Sequence, residues 1–359
     1  MNDDIDIEKQ SLGAGRRIEA PELSIVVQGP IKETTDERGH ATILVLQAAR
    51  KHYPAAEIVY SGWEGHPLPA SAGELVDRVV LSTDPGPVQT FDTADGPVVE
   101  NINRQIVSTT AGLNAATGRF AVKLRSDTLI VENRFDQWTR SQDRKPGQAT
   151  QFVSPVIAAS QYTRLFFLEY GGLRKCIGHL SDLFFFGRRE DLLRFWAGPL
   201  VSPEPIRLSR RQDAATPEQV LTIRFLSLRG ALPPGTRITG KFTNQVSGLA
   251  WKGWLTFLAG NFVVMTDAEL GVRHPSRFAR LGLSRIIFES DPSIAAAAGT
   301  EGLGPLLRFY ALKALLYLEY QAKFAVRRGL GAKRFEFVKT RMMQYGIRRR
   351  RVRDRGDRH

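Results

Sequence analysis

The chain has 359 residues, 42% of them hydrophobic and 24% charged, a globular composition that excludes general disorder, a collagen-like repeat and a disulfide mini-scaffold. Cys176 is the only cysteine, which excludes an intrachain disulfide and a cysteine-built zinc site. The formal net charge of +13 is uneven: residues 327–359 hold 13 Lys/Arg against 3 Asp/Glu, or +10, which leaves 13 − 10 = +3 for the first 326 residues, whereas a nucleic-acid binder spreads positive charge over its folded surface.

In chain order, residues 1–20 are polar and acid-rich and read as a disordered tail. Their opening, MNDDIDIEKQ, is acidic where a secretory leader is basic, so no leader is expected. LSIVVQGPI (23–31) is a short apolar run closed by Gly29-Pro30, the pattern of a fully buried strand. ATILVLQAARKHYP (41–54) has helical spacing and stops at Pro54. EIVYSGW (57–63) and DRVVLSTDPG (77–86) hold two more strands, the second broken at Asp84-Pro85-Gly86. NINRQIVSTTAGLNAATG (101–118) reads as a helix with Gly118 as terminator, and RFAVKLRSDTLI (119–130) as a fourth strand.

The second half is mixed. FVSPVIAAS (152–160) reads as a strand, and HLSDLFFFGRREDLLRFW (179–196) as a strand, a glycine turn and a helix. Prolines and charges over 199–217 mark a loop. TPEQVLTIRFLSLRG (216–230) is a helix with Thr216 as N-cap, Pro217 in its first turn and Gly230 at its end. PLLRFYALKALLYLEYQAKFAV (305–326) carries Arg308, Lys313, Glu319 and Lys323 at helical intervals and predicts an amphipathic helix. No run of 18 apolar residues suits a membrane-spanning helix. The arginine-rich end, 347–359, is a solvated basic arm suited to anionic surfaces such as lipid head groups.

Strands alternating with helices predict an α/β fold with a mainly parallel sheet and helices on both faces. The division expected is a disordered tail (1–20), one catalytic domain (21–303), C-terminal amphipathic helices packed on it (304–346) and a disordered basic tail (347–359). Ligands of such sheets sit beyond the carboxyl ends of the strands. GTRITGKF (235–242) spaces its glycines and Lys241 like a phosphate-binding loop, but Phe242 replaces the metal-ligating hydroxyl and prolines precede it, so the match is a coincidence. No G-x-G-x-x-G follows the first strand, and neither H-E-x-x-H nor G-x-S-x-G occurs.

The main chemical constellation is VKLRSDTLI. Alternation puts Lys123 and Arg125 on one face of a strand, with Asp127 following on the same parity at the ligand edge. Cations there can neutralise phosphate oxygens, and a carboxylate can hold Mg²⁺ or Mn²⁺. Asn101, Asn103, Arg104 and Gln105 open a helix, whose free N–H groups favour anions. Of the six scattered histidines, His274 is the weak candidate for a metal or phosphate contact.

These segments together resemble the WavE lipopolysaccharide synthesis family. SIVVQGPI, KHYPAAEIVYSGWEG, DRVVLSTDPG, NINRQIVSTTAGLNAATGRFAVKLRSDTLI, HLSDLFFFGRREDL and PEQVLTIRFL carry the likeness, over roughly residues 22–265. The resemblance implies a bacterial glycosyltransferase with a GT-A-like (Rossmann-like) fold, a nucleotide-sugar donor, and a glycan or lipid-linked glycan acceptor. In such folds an Asp-x-Asp at a strand end carries the metal, and here that place reads Arg125-Ser126-Asp127. This departure puts metal dependence in question, with Arg125 and Lys123 able to replace much of the ion's charge.

On this reading Gln28, Gly29 and Pro30 frame the nucleotide. Lys123, Arg125 and Asp127, helped by Arg104, meet the charge of the leaving diphosphate. Asp182 and Glu218 are the two candidates for the acceptor's base. The expected location is the cytoplasm, peripheral on the inner membrane. Two rivals stand beside it. A sugar nucleotidyltransferase would need a Gly-rich, Lys/Arg-bearing loop after the first strand, which VVQGPIKETTDERG lacks. A non-enzymatic basic protein binding anionic membrane or RNA would spread its charge over the fold.

Overall fold

The computed structural model describes residues 22–36, 39–137, 150–169, 172–202, 204–232 and 248–275, with single positions between 311 and 329. The chain opens with β1 (Leu23–Gln28), α1 (Thr42–His52), β2 (Glu57–Trp63) and β3 (Arg78–Ser82). The hairpin β4 (Val88–Thr93) and β5 (Gly96–Glu100) precedes α2 (Ile102–Ala115), β6 (Phe120–Arg125) and the short β7 (Leu129–Ile130). Next come β8 (Val156–Ala159), the hairpin β9 (Phe166–Glu169) and β10 (Gly172–Lys175), β11 (Phe184–Arg188) and α3 (Arg189–Trp196). The described order ends with β12 (Ile206–Leu208), α4 (Pro217–Leu228), α5 (Gly248–Asn261), β13 (Phe262–Met265), α6 (Asp267–Leu270) and β14 (Val272–Arg273).

Seven strands form one sheet in the order β3-β2-β1-β6-β11-β8-β13. β11 runs antiparallel to both neighbours, and the other pairs are parallel. Both faces are buried, which is why the centre of β1, Ile25-Val26-Val27, is apolar without alternation. Val26 faces a core shared with Ile106 and Leu113 of α2, Trp196 of α3 and Phe225 of α4. Ile25 and Val27 face the opposite core with Val45 and Leu46 of α1 and Phe184 and Phe186 of β11. The mainly parallel α/β sheet is therefore as expected, and Phe184-Phe185-Phe186 is core.

α4 begins as its sequence indicates. Thr216 caps it with Gln219 in a reciprocal capping box, and Pro217 occupies the first turn. Elsewhere the chain differs from the expectation. Residues 88–100, left unassigned by periodicity, form the β4–β5 hairpin, which joins β12 in a second sheet. The 199–217 loop thus contributes a strand. Gly118 does not end α2, because Ala116 is already extended. It lies instead where a Cβ would stand 2.8 Å from the Glu22 carbonyl oxygen. Gly187 lies inside β11 rather than in a turn, and the strand passes straight into α3. The 1–20 tail, the 235–242 loop and the 347–359 arm lie outside the described residues; of 305–326, only single positions are described, and these are helical.

α2 packs closely on β1 and β2 through Gly112, where a Cβ would stand 2.4 Å from Val26 Cγ1 and 3.0 Å from Ser61 Cβ. Gly112→Val is expected to lower the thermal unfolding midpoint, at a cost of about 1–3 kcal/mol from overpacking. Gly73→Ala, where a Cβ meets nothing within 4 Å, is the matched control and should leave the midpoint unchanged.

Candidate active site

Parallel strands bring their carboxyl ends to one edge, and two tips are tied together there. Gly29 turns the chain out of β1 with φ +122°, in the region that favours glycine. Its N–H donates to the Ser61 carbonyl at 3.1 Å, and the Tyr60 hydroxyl donates to the Gly29 carbonyl at 3.0 Å. From the end of β6, Ser126 N–H donates to the Gln28 carbonyl at 2.9 Å, and its hydroxyl donates to the Pro30 carbonyl at 2.7 Å. The 28–30 turn is thus fixed on one side by β2 and on the other by the residues following β6. It walls a cleft of about 720 Å³, lined also by Trp63, Arg104 and Arg125.

Each arginine of the cleft is held in a fork. Arg125 donates Nε to Asp127 Oδ1 and Nη2 to Asp127 Oδ2, both at 3.0 Å. Burial opposes its charge, but Asp127, Asp182 and Glu218 outweigh burial and hold its pKa above the ordinary value. Arg104, on the first turn of α2, donates Nε and Nη2 to the two Asp84 oxygens at 2.8 and 2.6 Å. The pairing fixes both guanidinium planes, as bidentate geometry does.

Lys123 lies deeper. Its parity with Arg125 is as read from the sequence, but it is fully buried and its ammonium donates to the Asp182 carbonyl. Its Nζ stands 4.8 Å from the centre of the Trp196 ring. Burial pushes its pKa down to about 7. The structure therefore places Lys123 under the cleft as a support for the Asp182 segment, rather than on its wall beside phosphate.

Two further carboxyls feel the charge of Asp182. Glu218, at the start of α4, is buried, and burial reinforced by Asp182 raises its pKa to about 7. Its Oε2 is 4.0 Å from His179 Nε2. Asp182 is buried in the segment leading into β11. Glu100, at the end of β5, lines the cleft. Burial raises it to about 6, with Arg211 opposing and Asp182 adding. Sequence reasoning missed Glu100 because its strand was unassigned; the Asp95-Gly96 pair between alternating residues was the available hairpin signal.

Asp127 spends both oxygens on Arg125, and no three His, Cys, Asp or Glu side chains among the described residues are placed to share an ion. His274 follows β14, whose Arg273 pairs with Leu129 of β7, and its Nδ1 is 2.9 Å from Asp267 Oδ1. The site thus brings together Gln28, Gly29, Pro30, Arg104 and Arg125 on the cleft, with Asp127 clamping Arg125 and with Lys123, Asp182 and Glu218 in the buried cluster.

A mostly parallel sheet, covered by helices and opening at its carboxyl edge into a cleft, defines a Rossmann-like α/β protein. The model of the WavE lipopolysaccharide synthesis family matches residues 23–288, and the chain belongs to that family. This membership gives it a role in lipopolysaccharide synthesis. No curated protein matches the chain.

Glu218 holds its proton more tightly folded than unfolded. Its contribution to stability is full below about pH 4.5 and is lost as pH rises through about 7. Glu218→Gln should therefore gain stability over the native protein progressively between those values, on the order of 1–3 kcal/mol. Denaturant unfolding at pH 5 and pH 8 measures it. A difference that ignores pH would show that this carboxyl does not titrate with folding.

Proposed function

We propose that the protein is a glycosyltransferase that moves a sugar from a nucleotide-sugar donor to a glycan or lipid-linked glycan acceptor during lipopolysaccharide assembly. The observation that carries this reading is the cleft at the carboxyl edge, where the Gly29 turn and the clamped Arg125 and Arg104 line one opening. Counted along the chain, the central strands fall in the order 3-2-1-4-6-5-7, with the sixth reversed. That order supports a GT-A-like form of the fold.

Transfer breaks the bond between the anomeric carbon and the donor diphosphate and forms one to an acceptor oxygen, whose proton must leave. Arg125 presents a fixed positive charge to the diphosphate as negative charge builds on it. Arg104 adds a second, through remaining donors or by exchanging Asp84 for phosphate. Pre-set guanidinium groups need little reorganisation, which is the source of their value in the transition state. The acceptor proton passes to Glu100, which lines the cleft with Glu33 and with the Arg104-paired Asp84, in place of the buried Asp182 and Glu218. A pKa near 6 leaves Glu100 ionised at neutral pH yet basic enough to take a proton.

A thermal-shift screen of UDP, GDP, CDP, ADP and TDP, each with Mn²⁺ and with EDTA, tests the reading. One diphosphate should raise the unfolding midpoint, and Arg125→Ala should abolish the shift. If none does, the nonenzymatic binding reading takes its place.

We place the protein at the cytoplasmic face of the inner membrane, with the basic arm 347–359 drawn to anionic head groups. About 1 kcal/mol per basic residue near such a surface suffices for peripheral attachment. The full chain should bind phosphatidylglycerol vesicles at low salt, and lose that binding in high salt or when 347–359 is deleted. Binding indifferent to both would remove the arm as the anchor.

A further inference from the structure

The two arginine forks of the cleft are not equivalent. Arg125 and Asp127 lie two residues apart at the end of β6, and the Asp127 side chain is only 10% exposed. Asp127 is also fixed from outside the fork. Its carbonyl accepts from His40 N–H at 3.3 Å, and a Cβ on Gly39 would stand 2.7 Å from its own Cβ. Arg104 and Asp84 instead join α2 to the irregular segment between β3 and β4, and their side chains are 34% and 37% exposed. Solvent screens such a pair, so breaking it costs little. Arg104 keeps a second hold when the fork opens, because its Nη1 donates to Asn101 Oδ1 at 2.9 Å.

Charge gives the fork a reason to open. Among the described residues lining the cleft, the carboxylates of Glu33, Asp84 and Glu100 stand against the guanidinium groups of Arg104 and Arg125. Arg104 holds the Asp84 carboxyl below its usual range, so that it is ionised at neutral pH. An arriving diphosphate therefore meets more negative than positive side chains, and like charges at close range repel. Asp84 is the acid whose two oxygens take Nε and Nη2 of Arg104, at 2.8 and 2.6 Å. Two parallel N–H groups directed at two anionic oxygens are also the arrangement by which arginine holds phosphate.

We infer that Asp84 is an internal occupant of a phosphate subsite on Arg104, and that a phosphate group of the donor displaces it. The site inhibits itself until then, because its apparent affinity is reduced by the fraction of molecules whose fork is closed. The inference rests on the proposed nucleotide-sugar reading and adds to it the carboxylate that the diphosphate must move. Arg125, in the more buried fork, keeps its partner.

Calorimetry on the full chain with inorganic pyrophosphate and with UDP, GDP, CDP, ADP and TDP tests this. Asp84→Asn keeps an oxygen for Gly86 N–H, which donates to Asp84 Oδ1 at 2.9 Å, but gives up the charge that competes for Arg104. It should tighten pyrophosphate and the bound diphosphate by roughly 3- to 10-fold, and Asp84→Ala should do the same. Glu33→Gln removes an equal charge from the same cleft without freeing Arg104, and should gain less. In an Arg104→Gln background, Asp84→Asn should gain no more than Glu33→Gln does. Equal gains from Asp84→Asn and Glu33→Gln, or a gain that survives Arg104→Gln, would reduce the effect to general charge and overturn the inference. Unchanged or weaker binding in both Asp84 variants would make Asp84 a positioning partner of Arg104 and overturn it as well. Each of these results leaves the transferase reading standing. Failure of every probe to bind either the native protein or the Asp84 variants would overturn both, whereas binding confined to the Asp84 variants would support both.

Discussion

An ammonium group inside a sheet is expensive to bury and must be matched by oxygen on every side it can reach. Lys123 imposes that constraint here. It projects from β6 into the core around Trp196, and the Asp182 carbonyl takes its proton donor. The segment before β11 is therefore pulled down onto the centre of the sheet. Asp182 arrives close enough to raise Glu218 and Glu100, and the electrostatics of the cleft floor follow from that arrangement. The reversed direction of β11 matters for the same reason. Only an antiparallel strand has its amino end at the edge where its neighbours finish, and so only it delivers the residues preceding it to the site.

The first half of the fold was legible because its physics is local. β1 and β2 are buried on both faces and carry the apolar stretches Ile25-Val26-Val27 and Ile58-Val59-Tyr60, while Pro54 and the Gly29-Pro30 pair mark where regular structure stops. β4 and β5 were not legible in the same way. VQTFDT mixes polar and apolar residues because its small sheet buries little beyond Phe91, Val98, Ala214 and Ala215. A weak core leaves a weak pattern. β13, like α5 before it, was left unassigned: a four-residue run continuing an apolar stretch carries no period of its own.

For the site, periodicity gave direction but not depth. Lys123 and Arg125 share a face, as alternation requires, yet two residues along a strand is about 6.6 Å. That distance separates a group at the rim from one sealed below it. Asp127 illustrates a second limit. A sequence shows a carboxylate at a strand end but not that a neighbouring guanidinium already occupies both of its oxygens. Gln105 was visible as part of a polar helix start, read for N–H groups that favour anions. That its Oε1 is buried without a hydrogen-bond partner is a property of the assembled interior.

The interleaving of the sheet bears on how the chain acquires it. β1 lies between β2, formed from nearby sequence, and β6, whose first residue is 120 − 23 = 97 positions further on. β8 similarly waits for β13, 262 − 156 = 106 positions later. A nascent polypeptide leaving the ribosome must therefore hold sticky strand edges open until distant partners are made. Such topologies close slowly and expose aggregation-prone surface while they do. Biogenesis of this protein, more than the durability of its finished state, is where chaperone demand and temperature sensitivity would concentrate.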